Sequence, residues 1–264
     1  MRTTRLKSVA AALLLGLLMC TAAGMLTVNA ASVKNGWSGS SYYRNGKKVT
    51  GLVKIGKKNY IFTNKGTVVK DRLVYRYKDK KGAFSFYNIT KKGVATKWTK
   101  TAEKAANVVA GLDKYKNRIK TSNREKFLKK SFLWAAENIR YSNNEDTSLS
   151  GKAAAAYYGN AAFDDMSGEC DTYAYAMYWM AKVLGYKPKY MRGYYMTGSG
   201  LTDYAWCQIP IDGKTYVFDP HFNRYKIGGV PVYKQFGKYW GYKFQYGDKN
   251  TFSYYNKNKV LLTK

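Results

Sequence analysis

One histidine, His221, stands two positions after Asp219 in the run Tyr216-Val217-Phe218-Asp219-Pro220-His221, and a cysteine, Cys170, lies upstream. Cysteine attacks a carbonyl as its thiolate, and its free pKa is about 8.5. A neighbouring imidazole is the common means of holding it ionised near neutral pH, and a third group commonly orients that imidazole. With a single histidine in 264 residues, thiol chemistry here has one candidate imidazole base. The function turns on which elements carry Cys170, Asp219 and His221.

Ser167-Gly168-Glu169-Cys170 precedes Asp171 to Leu184, where Ala174, Met177, Tyr178 and Ala181 recur at helical intervals and Gly185 can close the helix. Cys170 is therefore expected in a first helical turn, where the positive end of the helix favours thiolate and exposed amides can hold an oxyanion. Asp164, Asp165, Glu169 and Asp171 crowd the same place and push the other way. Tyr190 to Tyr195 reads as a strand. Tyr204 to Ile211 and Lys214 to Asp219 read as a hairpin joined by Asp212-Gly213, a strong two-residue turn signal. With Ile211 opposite Lys214, the register sets Trp206 opposite Asp219 and Tyr204 opposite His221, so these four share one face. Cys207 has the other parity, which predicts packing and no disulfide to Cys170. One histidine and two cysteines on different faces supply no metal-ligand set, and no cofactor is expected.

In the order Gly168-Glu169-Cys170, Tyr204-Ala205-Trp206, Asp219-Pro220, the chain resembles the transglutaminase-like superfamily, relatives of the papain-like thiol proteases, over roughly residues 102 to 222. The resemblance implies a papain-like α+β fold, with Cys170 as nucleophile and Asp219 as orienting carboxylate in peptide hydrolysis or acyl transfer. Tyr204 stands where the family carries its histidine. A phenol, with pKa about 10, is only about a thousandth ionised at pH 7 and is a poor general base. The register sets His221 across from Tyr204, so an imidazole can reach nearly the same space as a migrated base. The alternative is a non-catalytic surface protein that binds wall polymer or peptide in the cleft, with Tyr204 and Trp206 as aromatic contacts.

Two amphipathic helices, residues 102 to 120 and 124 to 140, are expected ahead of this site, then an exposed loop from Ser142 to Gly151. Before them, from Gly36 to Trp98, short aromatic and β-branched runs alternate with turn residues such as Asn45-Gly46, Gly56 and Gly66. This pattern resembles the tandem wall-binding hairpin repeats of bacterial surface proteins, in which aromatic cages hold choline or glycan. That resemblance implies ligand contacts at Trp37 and Tyr43, although Gly51-Leu52 stands where a repeat would offer Gly-Trp.

The expected organisation is a signal peptide over residues 1–30, hairpin repeats over 31–100 and a transglutaminase-like domain over 101–264. Arg2, Arg5 and Lys7, an apolar run from Val9 to Met19 and the small-residue site Val28-Asn29-Ala30 carry the export expectation. That run is too short to span a bilayer comfortably, and nothing downstream approaches the roughly 20 apolar residues of a spanning helix. Removing the signal lowers the formal charge from +30 to +27, which suits an anionic cell wall. Nucleic acid would need only the charge and has no motif behind it. The expected setting is secreted and attached to the wall or cell surface, with a wall polymer or glycan and a peptide or protein substrate as partners.

Overall fold

The computed structural model describes residues 34–143, 148–224, 226–227, 230–231, 241–247 and 253–262. The expected signal, residues 1–30, lies outside the described residues.

The chain opens with hairpins. Strands β1 (Gly36–Ser38), β2 (Ser41–Arg44) and β3 (Lys47–Lys48) form a small antiparallel sheet. Strands β4 (Gly51–Ile55), β5 (Lys58–Phe62), β6 (Arg72–Lys78), β7 (Phe84–Ile89) and β8 (Val94–Lys97) form a second, in the order β4-β5-β8-β7-β6. The Asn45-Gly46 turn takes positive φ at both residues, the geometry whose twist matches a two-residue hairpin.

Helices follow: α1 (Lys100–Leu112), α2 (Arg124–Asn138), α3 (Gly151–Asn160) and α4 (Cys170–Val183). The first ends eight residues short of the expected 120. Lys114, Tyr115 and Asn117 adopt left-handed φ, and the Tyr115 amide turns back to the Ala110 carbonyl. Short strands β9 (Arg140–Tyr141) and β10 (Ser167–Gly168) pair in parallel, tying the end of α2 to the start of α4.

Strands β11 (Lys189–Thr197), β12 (Gly200–Ile211) and β13 (Lys214–Phe218) come next, and after the two-residue strands β14 (Lys226–Ile227) and β15 (Val230–Pro231) comes β16 (Tyr254–Tyr255). They build a four-stranded sheet in the order β13-β12-β11-β16. Asp212 and Gly213 both take positive φ, and the ladder pairs Ile211 with Lys214 through Cys207 with Phe218, the register expected from the turn.

Helix α4 is buried nearly all round, which explains why it reads as apolar on more than one face. It packs with α1, α2 and the inner face of β12, where Cys207, Ile209 and Ile211 join the main core. Leu73, Val74 and Phe86 from β6 and β7 belong to that same core. Strands give way to helices between Lys97 and Lys100, and packing is continuous across that change. The opposite face of β12 carries Tyr204 and Trp206 into a second cluster with Val217, Phe222, Phe244 and Tyr254.

Candidate active site

Cys170 is the first residue of α4, with Glu169 as the helix cap in extended conformation. Gly168 just before it is fixed by β9, whose Tyr141 is its ladder partner. The cysteine is partly exposed and packs against the Tyr204 and Trp206 cluster. Its thiol leans on Asp171, 3.7 Å from Sγ to Oδ2. Asp171 is buried, and its other oxygen accepts from the Tyr190 hydroxyl and, at 3.5 Å, from Arg192. Burial opposes the charge on Arg192, but Asp171, Tyr190 and Cys170 outweigh it and raise the guanidinium pKa. The acidic crowd expected around the thiol is therefore partly answered: Arg192 faces Asp171, and Lys104 pairs with Asp164.

The expected ladder does not continue to Asp219 and His221. Pro220 has no amide to give a sheet, and Pro220–Arg224 turns into a 3-10 helix instead. Asp219 caps that turn: its carboxylate accepts the backbone amides of His221 and Phe222, and Pro220 takes the first helical position. His221 is thereby lifted off the strand. Its side chain still reaches Tyr204, whose Oη lies 2.8 Å from His221 Nδ1 and 2.9 Å from Asp219 Oδ1. The phenol has one proton. Donated to the carboxylate, it leaves the oxygen to accept from Nδ1–H, which places the imidazole lone pair on Nε2. Tyr204 therefore occupies the middle of a carboxylate, phenol and imidazole chain.

Around this chain the site is dry and aromatic. Asp219, Tyr204 and His221 are all buried. Burial pushes the Asp219 carboxyl up to about 7, although Tyr254, Tyr204 and the two capping amides pull it down. The Tyr204 phenol is raised well above its ordinary value by burial first, then by Asp219, Tyr254 and Cys170, so it does not serve as a base near neutrality. Tyr254 donates to Asp219 Oδ2 at 2.7 Å. The His221 ring meets Tyr173 edge-on at 5.2 Å and Tyr141 at 5.7 Å. Tyr173 lies three residues along α4 from Cys170, hence on the same helix face, and Tyr141 is the ladder partner of Gly168. His221 thus stands against groups that flank Cys170 on both sides.

The sequence profile of the transglutaminase-like superfamily matches residues 113–220. This stretch belongs to that superfamily. The transglutaminase-like domain so defined contains Cys170, Asp219 and Tyr204, the residue that departs from the family pattern, and stops one residue before His221. A solved structure of a candidate cysteine protease from Cytophaga hutchinsonii is similar to 47% of this chain, at 16% identity and a TM-score of 0.34. The chain spans 39% of that protein's length, and a likeness this slight carries no weight for fold or function. No curated protein matches the chain.

Several site residues sit differently from expectation. Tyr204 is 3% exposed, so it cannot act as a surface contact for a ligand. Trp206 is 1% exposed and gives its indole N–H to the Tyr246 hydroxyl at 2.8 Å, so it too is not an open contact surface. Cys207 lies in the core with a free thiol, as its parity predicts, and burial pushes its pKa far up. Trp37 and Tyr43 do not form one cage. The ladder sets Trp37 against Tyr42, Tyr60 packs on it at 5.1 Å, and Tyr43 instead carries Lys34 over its ring. Among the described residues no group of three His, Cys, Asp or Glu side chains could hold a metal, and no helix is long and apolar enough to cross a membrane.

Tyr254, Tyr173 and the Tyr190 and Arg192 partners of Asp171 are site residues that sequence reasoning missed. Arg192 had a usable signal, being the one cation inside the strand expected at Tyr190 to Tyr195.

Proposed function

We propose that the chain is an exported, wall-associated thiol enzyme that acts on amide bonds. His221 Nε2 takes the proton of Cys170 as sulfur attacks the carbonyl, and returns it to the leaving amine. Water or a second amine then resolves the acyl-thioester, giving hydrolysis or transpeptidation. Tyr204 and Asp219 are positioning residues that fix the tautomer and direction of the imidazole. The observation that carries this reading is the Tyr204 hydroxyl, within hydrogen-bond distance of both Asp219 Oδ1 and His221 Nδ1. A migrated base needs such a brace because a carboxylate that caps its own turn cannot also orient the ring.

The experiment is acyl trapping. Incubated with p-nitrophenyl acetate, the full mature chain is expected to release nitrophenolate and to carry one acetyl group on Cys170 by peptide mass mapping. A chain labelled equally well in Cys170→Ala contradicts the reading. Wall attachment rests on the +27 formal charge left once the signal, with its three basic residues, is removed from the +30 chain, and on the exposed Trp37 hairpin. Co-sedimentation with purified anionic walls, reversed by salt, is expected, and a chain that stays in the supernatant at low salt contradicts it.

One observation favours a second reading, a binding protein with a retired site. The thiol leans on the buried Asp171 carboxylate, and a neighbouring negative charge disfavours thiolate. In that case Cys170 stays unacetylated.

A further inference from the structure

An open basin of about 360 Å³ has walls that include Tyr190, Arg192, Trp206, Asn256, Lys257 and Asn258. It adjoins the site through two residues. Trp206 belongs to the cluster on which Cys170 packs, and Arg192 is bound to Asp171, the residue next to Cys170. Among the described residues no acidic side chain lines it. Asp171 stands behind Arg192 with its side chain 3% exposed, so it tethers the guanidinium without facing the basin.

Arg192, Lys257 and the Asn256 amide offer donors to the basin, and the Asn258 side chain offers a donor and an acceptor. Arg192 makes a long contact with Asp171 and also bonds Tyr190, and of its five N–H donors others remain for a ligand; Lys257 is exposed on the same basin. The Asn256 side-chain oxygen is already taken by the amides of Asn258 and Val260, which leaves its NH2 group for a ligand. Two cations and an amide donor over a Trp and Tyr wall match a planar anion on a short apolar stem.

We propose that this basin is a specificity subsite that holds a carboxylate of the acyl-donor peptide beside the amide presented to Cys170. The placement rests on the thiol-enzyme reading, while the binding chemistry does not. A carboxylate there pairs with Arg192 and Lys257 and positions its neighbouring amide at the start of α4. The carboxylate belongs either to an acidic side chain or to a chain terminus, and both present the same two oxygens.

The test uses the full mature chain carrying Cys170→Ala, so it is independent of any thiol chemistry. Three peptides are titrated while the Trp206 indole N–H is followed by NMR: acetyl-Ala-Glu-Ala-amide, acetyl-Ala-Gln-Ala-amide and acetyl-Ala-Ala-Ala with a free C-terminus. At least one of the two carboxylate peptides is expected to bind about tenfold more tightly than the glutamine peptide, and the one that does names the source. The preference should fall to near unity when Lys257→Ala or Arg192→Gln is added. It should persist with Lys80→Ala, which removes the same charge from an exposed position in the hairpin sheet. Lys257 is exposed, so its replacement leaves the fold intact. Equal affinity for all three peptides overturns the subsite, and so does a preference that survives Lys257→Ala and Arg192→Gln, because the overall positive charge would then be its cause. Loss of acetylation at Cys170, with the carboxylate preference intact, would overturn the enzyme reading and leave the subsite standing.

Discussion

Tyr204→Phe is expected to lower both stability and the reactivity of Cys170, whereas Tyr254→Phe lowers stability alone. The two phenols hold opposite oxygens of the same buried carboxylate, at 2.9 and 2.7 Å. Removing either hydroxyl strips Asp219 of one donor. Only Tyr204 also faces His221 Nδ1. Each buried polar group deprived of its partner costs about 1–3 kcal/mol, so Tyr204→Phe should cost about 2–4 kcal/mol in denaturant unfolding and Tyr254→Phe about half that. In the p-nitrophenyl acetate assay, acetylation of Cys170 should slow about 10²-fold in Tyr204→Phe, the low end of what general-base help supplies. In Tyr254→Phe it should hold within a few-fold. Equal rates in the two variants would mean that the brace on His221 has no part in the chemistry.

Asp219 carries the second large effect. Its native pKa of about 7 lies above the ordinary 3.8, so between those values the folded protein binds a proton that the unfolded chain releases. Stability therefore falls as pH rises across that window: this contribution is fully present below pH 3.8 and is lost as pH passes 7. The rise from 3.8 to about 7 corresponds to about 4 kcal/mol. Asp219→Asn removes the titration. Unfolding free energies of the two proteins, compared from pH 4 to pH 8, should move relative to each other by about 4 kcal/mol, with the native chain losing ground toward alkaline pH. A difference that stays flat, or that grows in favour of the native chain, would mean that the two phenols and two capping amides hold the carboxylate ionised against burial.

Both predictions concern residues whose meeting was only half legible in the sequence. The Asp212-Gly213 turn fixes the register of β12 and β13 because both residues accept positive φ, and a two-residue loop leaves one way to pair the strands. From that count Tyr204 and His221 could be set face to face. The ladder itself stops at Cys207 and Phe218, because Pro220 favours the first position of a capped turn over a strand. Asp219-Pro220 carries that cap signal, and read with strand periodicity alone it misplaces the backbone of His221 while keeping its side chain near Tyr204. The start of α4 was readable from the spacing of Ala174, Met177 and Ala181 together with Gly185, whose φ of +76° lets the chain leave the helix.

Tyr254 was not readable. It lies 35 residues from Asp219, on a two-residue strand that joins β11 from the far end of the chain. No local period announces such a pairing. The hairpin region shows the same division. Its turns follow from Gly and Asn, whereas the choice of Tyr42 over Tyr43 as the partner of Trp37 depends on a register that the Gly39 turn settles only in three dimensions.

The central claim is that His221, braced by Tyr204, holds the proton of Cys170. Its most direct test is the rate of Cys170 alkylation by iodoacetamide as a function of pH, in the full mature chain and in His221→Ala. The thiol is expected to ionise well below about 8.5 in the native chain and to return toward that value in His221→Ala. Identical profiles in the two proteins, or a thiol that ionises at or above about 8.5 in both, would contradict it.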